Sequence, residues 1–225
     1  MVNNFDYIRT KLRFKNARSF YFIQILKRKK ENPEQKSYSR PIESFYVFNK
    51  KQFDRFMPHI IEKCEEHRAR AYIKMNTLDA EAVGLAAIRV LSEEIAKGDW
   101  HSLSKSFNAA CGRCGMQVLK NGKNEKLYLV DLDDDMVDRV EEVKEYINSL
   151  QPLVDKKTKA PITNKIYMEV PTKHGIHLVT TGFNKQEFSQ KYRNIDVHDD
   201  GITLLYFPES ADKPGRAKVN VAPED

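Results

Sequence analysis

The sequence predicts a single α+β domain whose mixed or antiparallel sheet is flanked by helices. Its 225 residues are 40% hydrophobic and 31% charged, which suits one sizeable core rather than a disordered chain. Its apolar segments alternate between strand-like runs and helix-period stretches in mixed order: hairpin, helix, strand, helices, strand, helix, hairpin, helix, strand. Internal repeats, heptads and dividing linkers are absent from the sequence. The domain is expected over 1–208, with 209–225 as a flexible polar tail containing two prolines.

Ser19–Lys27 is rich in aromatic and β-branched residues and reads as a strand, returning through Glu43–Phe48. Between them Arg28–Arg40 is polar, carries Pro33 and reads as an exposed loop, making 1–48 a basic N-terminal hairpin. Lys51–His67 places Phe53, Phe56, Ile60, Ile61 and Cys64 at helical spacing, and Ala69–Met75 is a short strand. Thr77–Lys97 is a helix with Thr77 as its cap and Gly98 as its end. Trp100–Leu119 fits neither period. Leu127–Leu132 is a continuous apolar run ending in acid, the pattern of a central strand, and Asp138–Leu150 follows as a helix. Ile166–Val170 and Ile176–Thr181 are strands joined by a turn. Asn184–Tyr192 is a helix capped by Asn184, and Ile202–Phe207 is the last strand.

The net charge of +6 is concentrated at the start, where Met1–Arg40 holds eleven Lys/Arg against three Asp/Glu. Phe14, Phe20, Tyr21, Phe22 and Tyr38 lie among those cations, a composition suited to a polyanion with stackable bases, or to an edge hairpin kept soluble by lysines. The N-terminus has no secretory pattern and no apolar run reaches the ~18–20 residues needed to cross a bilayer. Three cysteines exclude a disulfide scaffold, and a cytoplasmic location with no membrane partner is expected.

Three segments carry chemistry. In Tyr128-Leu129-Val130-Asp131-Leu132-Asp133-Asp134-Asp135, a strand places Asp131 and Asp133 on one face, ~6.6 Å apart along it. Two carboxylates so placed repel unless a cation intervenes, and hard oxygen donors suit Mg²⁺ or Mn²⁺. Alternatively, Asp133, Asp134 and Asp135 begin the following helix, where negative charge is favoured. In Pro171-Thr172-Lys173-His174-Gly175-Ile176-His177, Gly175 frees the backbone at a turn whose amides can receive phosphate. His177 shares a face with Val179, either as a core histidine or as a donor into a cleft. In Ile195-Asp196-Val197-His198-Asp199-Asp200-Gly201, turn chemistry explains Asp199 and Asp200, whereas Asp196 sits in strand-like alternation.

In order and spacing these segments resemble the catalytic core of the archaeo-eukaryotic primase (primase-polymerase) superfamily, above all its small phage and mobile-element type. The resemblance covers roughly 127–208: Asp131-Leu132-Asp133 matches the paired acids, Gly175-Ile176-His177 the small-x-histidine motif, and Ile195-Asp196 through Pro208 the third acid and its strand. It implies an RRM-like core, divalent metal on Asp131, Asp133 and Asp196, and a nucleoside triphosphate held at Thr172, Lys173, Gly175 and His177. Asp131, Asp133, Asp196 and His177 would then be the catalytic set, nucleic acid the template and primer, and two-metal phosphoryl transfer the reaction. The third acid could instead be Asp199 or Asp200. Two positions depart from the family: Lys173 stands where glycine is frequent, and Tyr206 where an arginine follows the Leu-Leu pair.

Cys64, His67, Cys111 and Cys114 could together make a zinc site, although Cys64 falls on the apolar stripe of its helix. There is no P-loop, Rossmann fingerprint or nucleophile elbow. Two other functions fit the same residues: a non-catalytic nucleic-acid-binding protein, and a metal-dependent nuclease.

Overall fold

The computed structural model describes residues 1–100, 102–113, 126–155 and 158–209. The expected tail beyond residue 209, Cys114 and much of the unassigned Trp100–Leu119 stretch lie outside the described residues. The architecture is α+β, but with two antiparallel sheets rather than one.

The larger sheet is built from β1 (Val2–Asn3), β2 (Ser19–Arg28), β3 (Ser39–Val47), β4 (Arg70–Lys74), β5 (Leu78–Asp79) and β10 (Ile202–Phe207). Its order is β1-β10-β4-β2-β3, with β5 pairing to β2. Strict alternation along β2 makes it two-faced. Tyr21, Ile23 and Ile25 join the main core with α1 (Phe5–Lys11) and α2 (Lys50–His67), while Phe20 and Phe22 pack with α3 (Ala80–Lys97) and α4 (Ser106–Arg113).

Helix α1 is a correction to the expected all-hairpin N-terminus. Phe5, Ile8 and Leu12 are buried at i, i+3 and i+7, so the apolar stripe overrides the surrounding charge. A second correction concerns α3, which Asp79 caps in place of Thr77. Leu78 pairs with Phe20 as strand β5, which delays the helix, and Asp79 Oδ1 then accepts from the Glu81 and Ala82 amides. Gly98 ends the helix at φ +72°, and Asn184 caps α6 (Lys185–Lys191), both as expected.

The smaller sheet runs β6 (Tyr128–Asp133), then a 3₁₀ turn (Asp134–Arg139) and α5 (Val140–Ser149), β7 (Ile166–Pro171), β8 (Gly175–Thr180), α6 and β9 (Asp196–His198). Its spatial order is β7-β8-β6-β9 with every pair antiparallel, a split β-α-β arrangement consistent with an RRM-like unit. Val130, Leu132 and Leu178 face α5 and α6. Leu129, Met168, Val170 and Val179 point the other way and join the main core beside Ile23, Ala71, Ile73 and Leu205. One apolar core therefore spans both sheets, and the helix-free face of the smaller sheet meets the larger one.

Candidate active site

The two central strands of the smaller sheet extend past that shared core. On β6 the inward face runs Leu129, Asp131, Asp133; on β8 it runs Val179, His177, Gly175, and these are direct partners in the same order. On the other side of β6, Asp131 is the direct partner of Asp196, and Leu129 of His198. His177, Asp131 and Asp196 thus form one row across three neighbouring strands, and cross-strand partners lie ~4.5–5.5 Å apart at Cβ. The row opens where apolar packing gives way to a cleft of about 260 Å³.

Asp131, Asp133, His177, Thr172 and Lys173 line the cleft from the smaller sheet. Arg28, Lys30, Arg70, Tyr72 and Leu204 line it from the larger. Asp196 is exposed beside this row and is not among the lining residues. Acids on the floor and cations on the opposite wall give a field suited to a phosphate chain bound with a cation.

His177 is anchored from both sides. Its Nδ1 lies 2.9 Å from the hydroxyl of Thr203 on β10, and its Nε2 lies 3.3 Å from Asp131 Oδ1, long for a hydrogen bond. With Thr203 donating to Nδ1, the Nε2 proton of a neutral imidazole faces Asp131. That interaction holds the Asp131 carboxyl below its usual range, with His198 and Arg28 adding charge in the same direction and burial opposing it.

Gly175 is obligatory here. Its φ is +151°, and a Cβ would stand 1.9 Å from the Leu132 carbonyl oxygen. The close approach brings the β7–β8 turn onto the end of β6, beside Asp133. Within the turn, the Thr172 amide donates to the Gly175 carbonyl, Lys173 Nζ lies 5.4 Å over the Phe207 ring, and His174 sits 3.3 Å from Asp134.

The three acids are unequal in their partners. Asp133 precedes the 3₁₀ turn but makes no side-chain cap, so the helix-start reading applies to Asp134 and Asp135 alone. Among the described residues neither Asp133 nor Asp196 has an ion-pair partner. Asp199, by contrast, is paired with Lys185 and with Lys126 at 3.1 Å, and Asp200 with Lys74 at 3.4 Å. Only Asp196 of these candidates for third acid stands in register with Asp131.

Carboxylate oxygens and shared register suit a hard divalent cation. With Asp131 turned to His177, the described residues contain no three metal-ligating side chains already clustered.

Cys64 and Cys111 are not brought together. Cys64 packs with α2 on one face of the larger sheet and Cys111 with α4 on the other. Burial pushes the Cys64 thiol up to about 12, the behaviour of a core cysteine rather than a zinc thiolate.

Tyr206, which follows the Leu204-Leu205 pair, is 1% exposed and packs on Phe5, with its hydroxyl donating to Glu65 at 2.9 Å. A bulge between Leu204 and Tyr206 moves it from the cleft face, where Leu204 lies, into the core. Sequence reading missed Thr203, Arg28, Lys30, Arg70 and Tyr72 as site residues; the basic bias of the first forty residues was the available signal for two of the cations.

No family model, curated protein or solved structure matches the chain. Among the described residues no helix is long and apolar enough to cross a membrane.

Proposed function

We propose that the chain is a metal-dependent nucleotidyltransferase of primase-polymerase type, acting on nucleic acid with nucleoside triphosphates. The observation that supports this most is the row His177–Asp131–Asp196 across three strands, with Asp133 on the same face and a basic wall opposite. Asp131, Asp133 and Asp196 would hold Mg²⁺ or Mn²⁺. Such an ion supplies activation of a 3′-hydroxyl and charge neutralisation on the departing pyrophosphate.

The chain's own residues would do the positioning. His177, braced by Thr203, would donate from Nε2 to a triphosphate oxygen once Asp131 has turned to its cation. Lys173, Arg28 and Lys30 would take the remaining phosphate charge, and the tight Gly175 turn would present its backbone to the same group. Catalysis of this kind is positioning and electrostatics, with no covalent intermediate on the protein.

The test is primer synthesis and extension with labelled nucleotides and Mn²⁺, comparing the native chain with Asp131→Ala plus Asp133→Ala. Product from the native chain and none from the variant supports the reading; equal product from both discards it. Metal-dependent shortening of the oligonucleotide without added nucleotides would identify a nuclease instead. The turned-in Asp131 favours a second reading, a non-catalytic nucleic-acid-binding protein on the same scaffold, whose affinity would be salt-dependent and indifferent to divalent metal.

A further inference from the structure

The tip of the β2–β3 hairpin is built unlike the rest of the surface. Residues 27–40 hold six Lys/Arg against two Glu. Both glutamates are consumed internally: Glu31 pairs with Arg70 and Glu34 with Lys27 at 3.5 Å. Lys29, Lys30, Lys36 and Arg40 are exposed and make no ion pair among the described residues.

Among them Tyr38 is 71% exposed, a large aromatic left in solvent. It is nevertheless held in place. The Arg28 guanidinium lies 5.5 Å from its ring centroid and donates to its hydroxyl at 2.9 Å. A second Arg28 nitrogen donates to the Tyr72 hydroxyl at 3.2 Å, and both Arg28 and Tyr72 line the cleft that holds Asp131. The ring is thus fixed with one face against a cation, at the end of a strand that leads into the cleft. Pro41 and the lysines on this edge strand disfavour pairing with another strand.

We propose that this hairpin tip is a docking surface for single-stranded nucleic acid, with Tyr38 stacking an unpaired base and Lys29, Lys30, Lys36 and Arg40 following the phosphates. A base in a duplex hides both π-faces, so the ring selects unpaired strands, while the cations are indifferent to strandedness. The inference rests on the proposed function for its direction: a strand seated on Tyr38 is led along Arg28 toward the acidic row.

The test is equilibrium binding by fluorescence anisotropy in EDTA without nucleotides, so that no metal or turnover contributes. Labelled oligothymidylate, oligouridylate and a duplex are the probes. Tyr38→Ala is expected to weaken both single strands about tenfold and to leave the duplex unchanged, with Tyr38→Phe close to the native chain. Lys36→Ala plus Arg40→Ala is expected to weaken all three probes. On single strands it should also reduce the slope of log affinity against log salt, by about 0.7 for each phosphate that is no longer neutralised. The two single-strand probes tell DNA from RNA preference. Tyr38→Ala binding single strands as tightly as the native chain, or losing duplex equally, would overturn the proposal. Because binding is read in EDTA without nucleotides, it requires neither metal nor turnover, so failure of the polymerase reading and failure of this surface are separable.

Discussion

The imidazole of His177 bridges two sheets: Nδ1 meets the Thr203 hydroxyl of the larger sheet at 2.9 Å, and Nε2 faces Asp131 of the smaller one at 3.3 Å. Thr203 is fully buried, so this anchor is fixed by the core and not by solvent. The pairing sets both the orientation of the ring and which nitrogen it presents to the cleft.

Removing the anchor gives the first prediction. Thr203→Val keeps the side-chain shape but leaves Nδ1 without its hydroxyl partner. The nucleotide KM should rise by about tenfold, from loss of a net hydrogen bond of ~1–1.5 kcal/mol, with oligonucleotide affinity unchanged. Steady-state extension kinetics beside an anisotropy titration separate the two.

The Asp131 carboxyl gives a pH dependence. Its pKa is depressed in the folded state, so it contributes stability that is present above the ordinary aspartate value of ~3.9 and is lost as pH falls through the folded value. Asp131→Asn removes that acid limb. Urea denaturation of both proteins between neutral pH and the acid range should give stability curves that converge as the pH drops, the native chain losing more.

Glycine substitutions at two sites should act in opposite directions. Gly175→Ala drives a Cβ into the Leu132 carbonyl at positive φ and should cost more than ~2 kcal/mol. Gly84→Ala, inside α3 with nothing within 4 Å of the new Cβ, should add about 0.5–1 kcal/mol. Thermal or urea unfolding checks both.

Tyr206→Arg introduces the residue that the resemblance to primase-polymerases would place after the Leu-Leu pair. Because Tyr206 lies in the core beside Phe5, the substitution should cost about 2–4 kcal/mol and gain no activity. Unfolding and extension assays together decide it; a stable variant with higher activity would show that the strand presents this position to the cleft.

What could be read from the sequence, and what could not, follows from the range of the interactions. Asp131 was legible because it interrupts an apolar run, and period-two alternation then put Asp133 on its face and His177 on that of Val179. Those are local facts of a strand. The preference for Asp196 over Asp199 came from the same alternation, and Lys126 and Lys185 occupy Asp199. Helix α1 was hidden because charge dominates its segment and only three apolar residues mark its buried stripe. The opposite wall of the cleft and the anchor behind His177 were illegible for another reason: Arg28 and Tyr72 reach the wall, and Thr203 reaches the imidazole, only through packing of one sheet on the other, which no local period encodes. The inward turn of Tyr206 depends on a single bulge, and a simple alternation would have placed it beside Leu204.

The shared-ion assignment is tested most directly by Mn²⁺ titration followed by electron paramagnetic resonance, on the native chain and on Asp131→Asn, Asp133→Asn and Asp196→Asn. Stoichiometric binding by the native chain, weakened at least tenfold in each variant while Asp199→Asn binds normally, is the predicted result. Undiminished Mn²⁺ binding in the three variants, or none by the native chain with nucleotide present, would contradict it.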